Sequence, residues 1–199
     1  MKRIDAVKQF RLKSSKAATR KSAETPAIFQ EIRQPTTNYI IVPRVSGGNR
    51  KYVPIGFIDS KVIVTDAVHI ISNAENYHFG ILNSIVHNAW MRATAGYLGL
   101  SYRYSATIVY NNFVWCKPSD SQRQKIESTA KKILEVRKNF PTSSLADLYD
   151  DRTMPIELRK AHQQNDLAVM KAYNFDQSLN ESEIVSELMK FYQSLTVDK

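Results

Sequence analysis

The apolar residues of the chain follow two spacings, and short β-branched stretches dominate its first half. Tyr39–Val42 and Tyr52–Ile58 flank the turn-forming Ser46–Asn49, and this arrangement predicts a β-hairpin. Val62–Thr65 and Val68–Ile71 have the same composition and predict two further strands. This part of the chain is therefore predicted to contain a small β-sheet.

Helical spacing first interrupts and then replaces this β pattern. From Tyr77 to Tyr97 the apolar residues recur every three to four positions, which predicts a helix, whereas Tyr102–Tyr110 alternates and predicts another strand. The predicted fold class is α+β, with a small mixed or antiparallel β-sheet and packed helices, followed by an all-α C-terminal helical bundle. The predicted domains are a basic arm or linker over residues 1–35, an α+β domain over 36–118 and a helical domain over 119–199.

Local end signals predict three helices in the last part of the chain. The first follows a serine cap at Ser119 or Ser121, and the second has Pro155 in its first turn. The third begins at Asn180–Glu183, which resembles a capping box.

The positive charge is concentrated ahead of these helices. The 199 residues contain 28 Lys and Arg against 19 Asp and Glu, a formal net charge of +9. The first 118 residues contain sixteen basic and six acidic side chains, a net charge of +10, and residues 119–199 carry a net charge of −1. This asymmetry indicates a polyanionic partner, either nucleic acid or an anionic membrane surface.

Several classes of protein are excluded by the same composition. An apolar fraction of 43% with only 6 Gly and 7 Pro is not typical of disordered or collagen-like chains. No apolar run approaches the ~20 residues of a membrane span, and the first residues lack the apolar h-region of a signal peptide. The lone Cys116 fits a reducing compartment, so we expect a cytoplasmic protein without disulfides.

Motifs for catalysis, cofactor binding and metal binding are not found in the sequence. It contains no Pro-Pro pair, and therefore no Asn/Asp-Pro-Pro-aromatic methyltransferase loop, and no glycine-rich turn that would hold a nucleotide or S-adenosylmethionine. Cys116 has no spaced Cys or His partner, and His78 and His87 fall on different faces of the predicted helix. We predict that the chain has no catalytic, cofactor-binding or metal-binding residues and binds no small-molecule substrate.

Aromatic and basic residues of the β-rich part are suited to nucleic acid. Seven of the ten tyrosines lie between Tyr39 and Tyr110, interleaved with Arg and Lys. Arginine pairs with phosphates or guanine, asparagine reads adenine, and tyrosine stacks or donates to phosphate. The alternative is that these residues decorate an ordinary surface. We expect phosphate or base contacts from Lys13, Lys16, Arg20, Lys21, Arg44, Asn49, Arg50, Lys51, Arg92, Tyr102, Arg103, Tyr104 and Ser105.

The residues with this pattern also resemble a known family. The sequence is similar to the target-recognition region and C-terminal helical region of MmeI-like (YeeA-like) DNA methyltransferases, which belong to the type II restriction-modification class. The matching blocks are Asn38–Ser46, Arg50–Phe57, Tyr77–Ser84, His87–Arg92, Tyr102–Ser105, Ile108–Trp115, Ser144–Tyr149, Thr153–His162, Asn165–Asp166 and Val169–Tyr173, with weaker similarity at Phe10–Lys21 and Ile28–Pro35. One departure is Val114–Cys116, where the family usually has Pro-Trp-Pro.

The resemblance implies that the chain is the C-terminal part of a longer enzyme. Such an enzyme transfers a methyl group from S-adenosylmethionine to adenine N6 in a short DNA sequence, and this chemistry requires the base to be flipped out of the duplex. Full-length members often carry an N-terminal nuclease domain as well. The implied partners are double-stranded DNA and the missing methyltransferase domain, with no membrane. In that case residues 36–118 are the recognition domain and this part alone is not an enzyme.

Three alternatives remain open at this point. The chain could be a free-standing specificity subunit that acts in trans. It could be an RNA-binding, general DNA-binding or membrane-surface protein that uses the same charge. It could also be a plain interaction domain, which would show no salt-dependent affinity for DNA.

Overall fold

The computed structural model describes residues 1–196 and contains two compact units, Met1–Pro35 and the chain from Thr36 onward. The first unit begins with the helices α1 (Lys2–Leu12) and α2 (Ala17–Lys21). A 3-10 turn follows directly, over Ser22–Glu24.

One arginine side chain ties the first unit together. The Arg11 guanidinium donates hydrogen bonds of 2.8–2.9 Å to three backbone carbonyl oxygens, those of Ser22, Thr25 and Ile28. Ala23 is buried, but no residue of α1 is. Hydrogen bonds to backbone oxygens, rather than an apolar core, therefore order this segment.

The second unit contains six short strands and six α-helices within its described residues. The strands are β1 (Tyr39–Pro43), β2 (Val45–Gly47), β3 (Gly56–Ile58), β4 (Val68–Ile71), β5 (Gly96–Leu98) and β6 (Ser101–Arg103). The helices are α3 (Asn76–Leu82), α4 (Ile85–Thr94), α5 (Asp120–Arg137), α6 (Leu145–Leu148), α7 (Ile156–Ala172) and α8 (Glu181–Thr196), with a π-helical turn over Ala106–Tyr110.

The strands form two antiparallel sheets of three strands each. The first sheet has the order β3-β1-β4, and the second has the order β2-β6-β5. In the second sheet Ser46 lies opposite Tyr102, which lies opposite Tyr97 on the other side. Only Arg44 separates β1 from β2, so the chain passes from one sheet to the other within one residue.

The predicted pairing of Tyr39–Val42 with Tyr52–Ile58 is confirmed, but the hairpin is not. Tyr39 lies opposite Ile58 in the antiparallel register of β1 and β3. The intervening chain leaves this sheet, however, because β2 pairs with β6 in the second sheet. A spacing of two residues predicts strands but does not specify which strands pair.

The strand predicted over Val62–Thr65 is wrong. No strand forms there, and the side chain of Ile63 is exposed. The Tyr39 hydroxyl donates a hydrogen bond of 2.5 Å to the Val62 carbonyl oxygen, which fixes this segment as a loop at the edge of the sheet.

The helix predicted from Tyr77 to Tyr97 is two helices, α3 and α4. Asn83 ends α3, and Ser84 begins α4 because its Oγ accepts a hydrogen bond from the His87 backbone N–H. An N-cap serine has a non-helical backbone and therefore starts a new helix instead of continuing the previous one. The spacing of apolar residues gives no sign of this break.

The strand predicted over Tyr102–Tyr110 is correct only at its start. It ends at Arg103, and a π-helical turn follows. Ser105 Oγ accepts a hydrogen bond from the Ile108 backbone N–H, and the Trp90 indole donates to the Val109 carbonyl oxygen at 2.9 Å. These two hydrogen bonds favour a coiled backbone over an extended one.

The three C-terminal helix starts are confirmed. The Ser119 Oγ accepts a hydrogen bond from the Gln122 backbone N–H at 3.3 Å at the start of α5, and α7 begins directly after Pro155. Asn180 and Glu183 form the predicted capping box, in which each side chain accepts a hydrogen bond from the other residue's backbone N–H. The α+β fold class is confirmed, with two small antiparallel sheets.

Helices on both sides of residue 118 share one core. α3 packs on α5, α5 packs on α7, and α4 packs on α8. The Asp166 carboxylate on α7 accepts hydrogen bonds from the Tyr52 hydroxyl at 2.6 Å and the Ile85 backbone N–H at 2.7 Å. The division expected at residue 118 therefore lies inside the second compact unit.

Gly80 allows α3 to approach α5 closely, and its replacement by alanine is expected to destabilise the second unit. A Cβ atom would lie 2.6 Å from Ile126 Cγ2 and 3.1 Å from Asn165 Oδ1. Overpacking of this kind costs about 1–3 kcal/mol, against about 1 kcal/mol gained in helix propensity. Urea unfolding should show a lower midpoint for Gly80→Ala. Gly96→Ala is the control, because no heavy atom lies within 4 Å of its Cβ position; equal midpoints would contradict the prediction.

Candidate nucleic-acid interface

The second sheet is partly exposed, and its outer strand β5 is exposed along its whole length. Tyr97 and Leu98 on β5 are 67% and 60% exposed, and Leu100 in the turn before β6 is 94% exposed. Several exposed apolar side chains in one short hairpin are typical of a binding surface. We therefore consider the second sheet and the adjoining loops as the candidate interface.

Backbone hydrogen bonds fix this sheet to the first one. The Arg44 backbone N–H donates to the Ala67 carbonyl oxygen at 2.9 Å, and its carbonyl oxygen accepts from the Tyr104 backbone N–H at 2.8 Å. The Nε2 atom of His69 on β4 lies 3.2 Å from the Tyr104 carbonyl oxygen. The chain around Arg44 and the chain after β6 are therefore held side by side.

Tyr104 anchors the same region from inside the core. It is 4% exposed, and its hydroxyl lies 3.0 Å from Nε2 of the buried His87. Burial lowers the pKa of His87 to about 3, so its ring is neutral at pH 7, and burial raises the pKa of the Tyr104 hydroxyl. This neutral pair fixes the position of the residues on either side of Tyr104.

A shallow cavity of about 420 Å³ opens between these two chain segments. Its lining includes Arg44, Arg103 and His69, and the hydroxyl groups of Ser105 and Thr107 lie 3.0 Å apart on its rim. Both arginine side chains are exposed, and neither guanidinium makes a hydrogen bond or ion pair with the described residues. The cavity thus presents two unneutralised cations to the solvent.

The loop after β2 is fastened to the helical part of the chain. Arg50 Nη2 donates to the Ala146 carbonyl oxygen on α6 at 3.1 Å, and the Lys51 ammonium lies 5.6 Å from the centre of the Tyr52 ring. Asn49 at the loop tip is exposed. The loop therefore offers one free amide, while its two cations are partly engaged within the protein.

Arg92 holds the end of this loop from α4. Its Nε and Nη2 atoms donate to the Glu181 carboxylate at 2.5 and 2.7 Å, and its Nη1 atom donates to the Lys51 carbonyl oxygen at 3.0 Å. The Arg92 side chain is 14% exposed. The structure thus places Arg92 in an ion pair that connects the loop to the start of α8.

The other predicted contact residues fall into two groups. Tyr102 and Ser105, which lie three positions apart in the second unit, are both half-buried. The centre of the Tyr102 ring lies 5.2 Å from that of the Tyr97 ring. In the first unit the side chains of Arg20 and three lysines are exposed, and Arg20 Nη1 donates to the Ser14 and Ser15 carbonyl oxygens at 2.9 and 2.8 Å. The three lysines are Lys13, Lys16 and Lys21.

Five residues of the cavity lining were not among the predicted contact residues, and two of them, His69 and Gly96, lie far from the arginines in the sequence or on another strand. His69 lies opposite Val42 in the register of β1 and β4, and Gly96 lies opposite Arg103 in that of β5 and β6. No local signal identifies them, because their proximity to the arginines depends on strand pairing.

The described residues show no metal cluster and no membrane-spanning helix. Over residues 1–196, no three His, Cys, Asp or Glu side chains lie close enough together to hold a metal ion. No helix within this range is both long enough and apolar enough to cross a bilayer. Burial raises the pKa of the Cys116 thiol, which disfavours its reactive thiolate.

Comparisons with known proteins connect this arrangement to one group of enzymes. The profile of the MmeI target recognition domain matches residues 1–117, and that of the MmeI C-terminal domain matches residues 118–198. DNA methyltransferase A of Bacillus subtilis strain 168 is 40% identical over 195 residues, which are 98% of this chain and 22% of that protein.

A solved structure of the Type IIL restriction-modification enzyme MmeI in complex with DNA superimposes with a TM-score of 0.89 and 47% sequence identity. The match covers 98% of this chain and 26% of the MmeI chain. The chain thus spans about a quarter of the length of these relatives. Since both profiles together cover residues 1–198, the chain belongs to the family of MmeI target recognition and C-terminal domains.

Proposed function

We propose that the chain is the part of a DNA methyltransferase that recognises the target sequence in duplex DNA. The observation that carries this proposal is its match, over 98% of its length, to an enzyme solved in complex with DNA. The uncompensated arginines of the cavity and the exposed lysines of the first unit supply the positive charge that a duplex requires.

The contacts divide into those that hold the duplex and those that read it. Lys13, Lys16 and Lys21 are suited to phosphates because they are exposed and flexible point charges. The exposed Asn49 amide and the Tyr102 region of the second sheet are suited to base edges in the major groove. Each good bidentate base contact contributes about 1–3 kcal/mol of discrimination.

Arg50, Arg92 and Tyr104 have a positioning role in this proposal. Each engages another part of the protein, respectively Ala146, Glu181 and His87. Their hydrogen bonds fix the loop after β2 and the end of β6 before DNA arrives. Preorganised contacts of this kind lower the entropy lost on binding.

Methyl transfer belongs to the rest of the parent enzyme in this proposal. The parent uses S-adenosylmethionine to methylate adenine N6 after base flipping, within a bacterial restriction-modification system and in the cytoplasm, where the DNA lies. The methyltransferase domain is the protein partner, joined in cis.

The purified chain is expected to bind duplex DNA with an affinity that falls steeply with salt, and to transfer no methyl group from labelled S-adenosylmethionine. Fluorescence anisotropy at several salt concentrations measures the binding. A double-stranded RNA of the same sequence should compete poorly. Methyl transfer by the chain, or equal binding of the RNA, would contradict the proposal.

Neutralising the first unit should weaken binding equally for all DNA sequences. In the triple variant Lys13→Ala, Lys16→Ala and Lys21→Ala, the slope of log K against log salt should shrink by about 0.9 for each lysine that contacts a phosphate. The matched control replaces Lys131, Lys138 and Lys160, three exposed lysines of the near-neutral helical part, and should leave the slope unchanged. Equal slopes for the two triple variants would argue against the basic arm as a DNA contact.

A further inference from the structure

We infer that the cavity between Arg44 and Arg103 holds a single phosphodiester group of the bound duplex. This inference deepens the proposed function and depends on it. It assigns the cavity to the DNA backbone rather than to a base.

The four arginines between residues 36 and 117 differ in whether the protein itself engages their guanidinium groups. Arg50 and Arg92 are engaged by Ala146 and Glu181, and both serve the fold. Arg44 and Arg103 have no partner among the described residues, and both line the same cavity. Two cations that line one cavity without an anion repel each other, so an anionic ligand relieves this repulsion.

The residues that line the cavity have the chemistry of an anion site. None of its residues is acidic, and the hydroxyl groups of Ser105 and Thr107 offer further hydrogen-bond donors. Gly96 lies opposite Arg103, and no heavy atom lies within 4 Å of its Cβ position, so the space next to Gly96 in the cavity lining is open. An open cationic cavity with hydroxyl donors matches a phosphate.

The backbone on both sides of the cavity is held in place by hydrogen bonds. The backbone of Arg44 is fixed by hydrogen bonds to Ala67 and Tyr104, and Arg103 is fixed by the register with Val45. Because the two segments cannot separate without breaking these bonds, the guanidinium groups start from fixed points on either side of the cavity. The backbone that carries the two arginines is therefore fixed before DNA binds.

A phosphate fits this geometry better than a guanine. Guanine O6 and N7 are read by one guanidinium in a bidentate contact. Two arginines from separate segments that line one cavity match the two unesterified oxygens, which share the single negative charge of one phosphodiester.

The test compares Arg44→Ala, Arg103→Ala and the double variant by DNA anisotropy with the full chain. Arg152→Ala is the matched control, because Arg152 lies outside the cavity and is exposed. Like those of Arg44 and Arg103, its guanidinium has no partner among the described residues. Thermal unfolding by circular dichroism checks that each variant is folded. We expect Arg152→Ala to bind DNA within about twofold of the unmodified chain, because it removes an isolated surface charge.

If both arginines hold one phosphate, each single variant should lose about tenfold in affinity, and the double variant about twentyfold rather than hundredfold. The salt slope of the double variant should shrink by about 0.9, the value for one phosphate. These losses should be the same for every duplex sequence.

Three outcomes would overturn the inference. Additive losses with a slope change of about 1.8 would mean two separate phosphates. A loss confined to one base pair would mean guanine reading. Losses no larger than that of Arg152→Ala would mean that the cavity holds no part of the DNA. These three outcomes leave the proposed function standing, whereas a chain that binds no duplex at low salt would contradict the proposed function itself.

Discussion

Replacing Arg137 with alanine should lower the free energy of unfolding of the second unit by about 2–5 kcal/mol. Arg137, at the end of α5, donates to the Ile55 carbonyl oxygen at 2.8 Å and to the Tyr149 hydroxyl at 2.9 Å. Its guanidinium carbon also lies 5.1 Å from the centre of the Phe79 ring. One side chain therefore joins the helical part of the chain to the β-rich part.

The loss is large because the truncation leaves buried acceptors without a donor. Ile55 is fully buried, so water cannot replace the missing hydrogen bond to its carbonyl oxygen. An unpaired buried acceptor costs about 1–3 kcal/mol, and the cation–π contacts add about 1–2 kcal/mol. A loss of this size is a large part of the total stability of about 5–15 kcal/mol of a typical domain.

Urea unfolding followed by circular dichroism measures this effect. Lys138→Ala is the control, because it removes the neighbouring charge of the same sign from an exposed position and should change the stability by less than about 0.5 kcal/mol. Arg137→Lys keeps the charge but cannot reach all partners, and should fall between the two. A loss below about 1 kcal/mol for Arg137→Ala would show that the fold does not depend on this link.

Acidification from pH 7 to pH 4 should destabilise the second unit, because two buried histidines resist protonation. Burial lowers the pKa of His87 to about 3, and burial, followed by the nearby Arg137, lowers the pKa of His162 well below its usual value of 6.5. At pH 4 both histidines are protonated in the unfolded chain but remain neutral in the folded chain. The free energy of unfolding therefore falls as the pH drops below 6.5. Each pKa unit corresponds to about 1.4 kcal/mol, so His87 alone contributes a loss of about 3 kcal/mol at pH 4.

Asp166 acts in the opposite direction. Burial raises its pKa from 3.8 to about 6, even though the Tyr52 hydroxyl and the Ile85 N–H stabilise its charge. Its folded form takes up a proton more readily than its unfolded form, so acidification between pH 6 and pH 4 regains about 3 kcal/mol. Asp166 therefore offsets the effect of about one histidine, and the other histidine determines the net loss.

This balance gives a sharp test. Asp166→Asn removes the offset, so the stability lost between pH 7 and pH 4 should be about 3 kcal/mol larger in the variant than in the unmodified chain. Urea unfolding at intervals of half a pH unit measures both curves. Asp150→Asn, at a half-buried position after α6, is the control and should follow the unmodified chain. Parallel curves for Asp166→Asn and the unmodified chain would contradict the assigned direction of the Asp166 pKa.

The candidate interface could be predicted only in part, and the arginines illustrate the limit. In the sequence Arg92 and Arg103 look alike, since both lie in the stretch from Tyr39 to Tyr110 that contains seven of the ten tyrosines. Arg92 is neutralised by Glu181, which is 89 residues further along the chain, whereas Arg103 faces an open cavity. The difference depends on a helix that follows much later, so no local pattern contains it.

Features that depend on neighbouring residues were determined by the sequence alone. The charge asymmetry, the caps at Ser119 and at Asn180–Glu183, and the family resemblance are of this kind, because a cap needs only residues three positions apart. The tertiary structure decided how the strands are divided between the two sheets and which cations remain free. The Tyr52–Asp166 hydrogen bond joins residues 114 positions apart, and contacts of that range follow from packing, which local spacing does not specify.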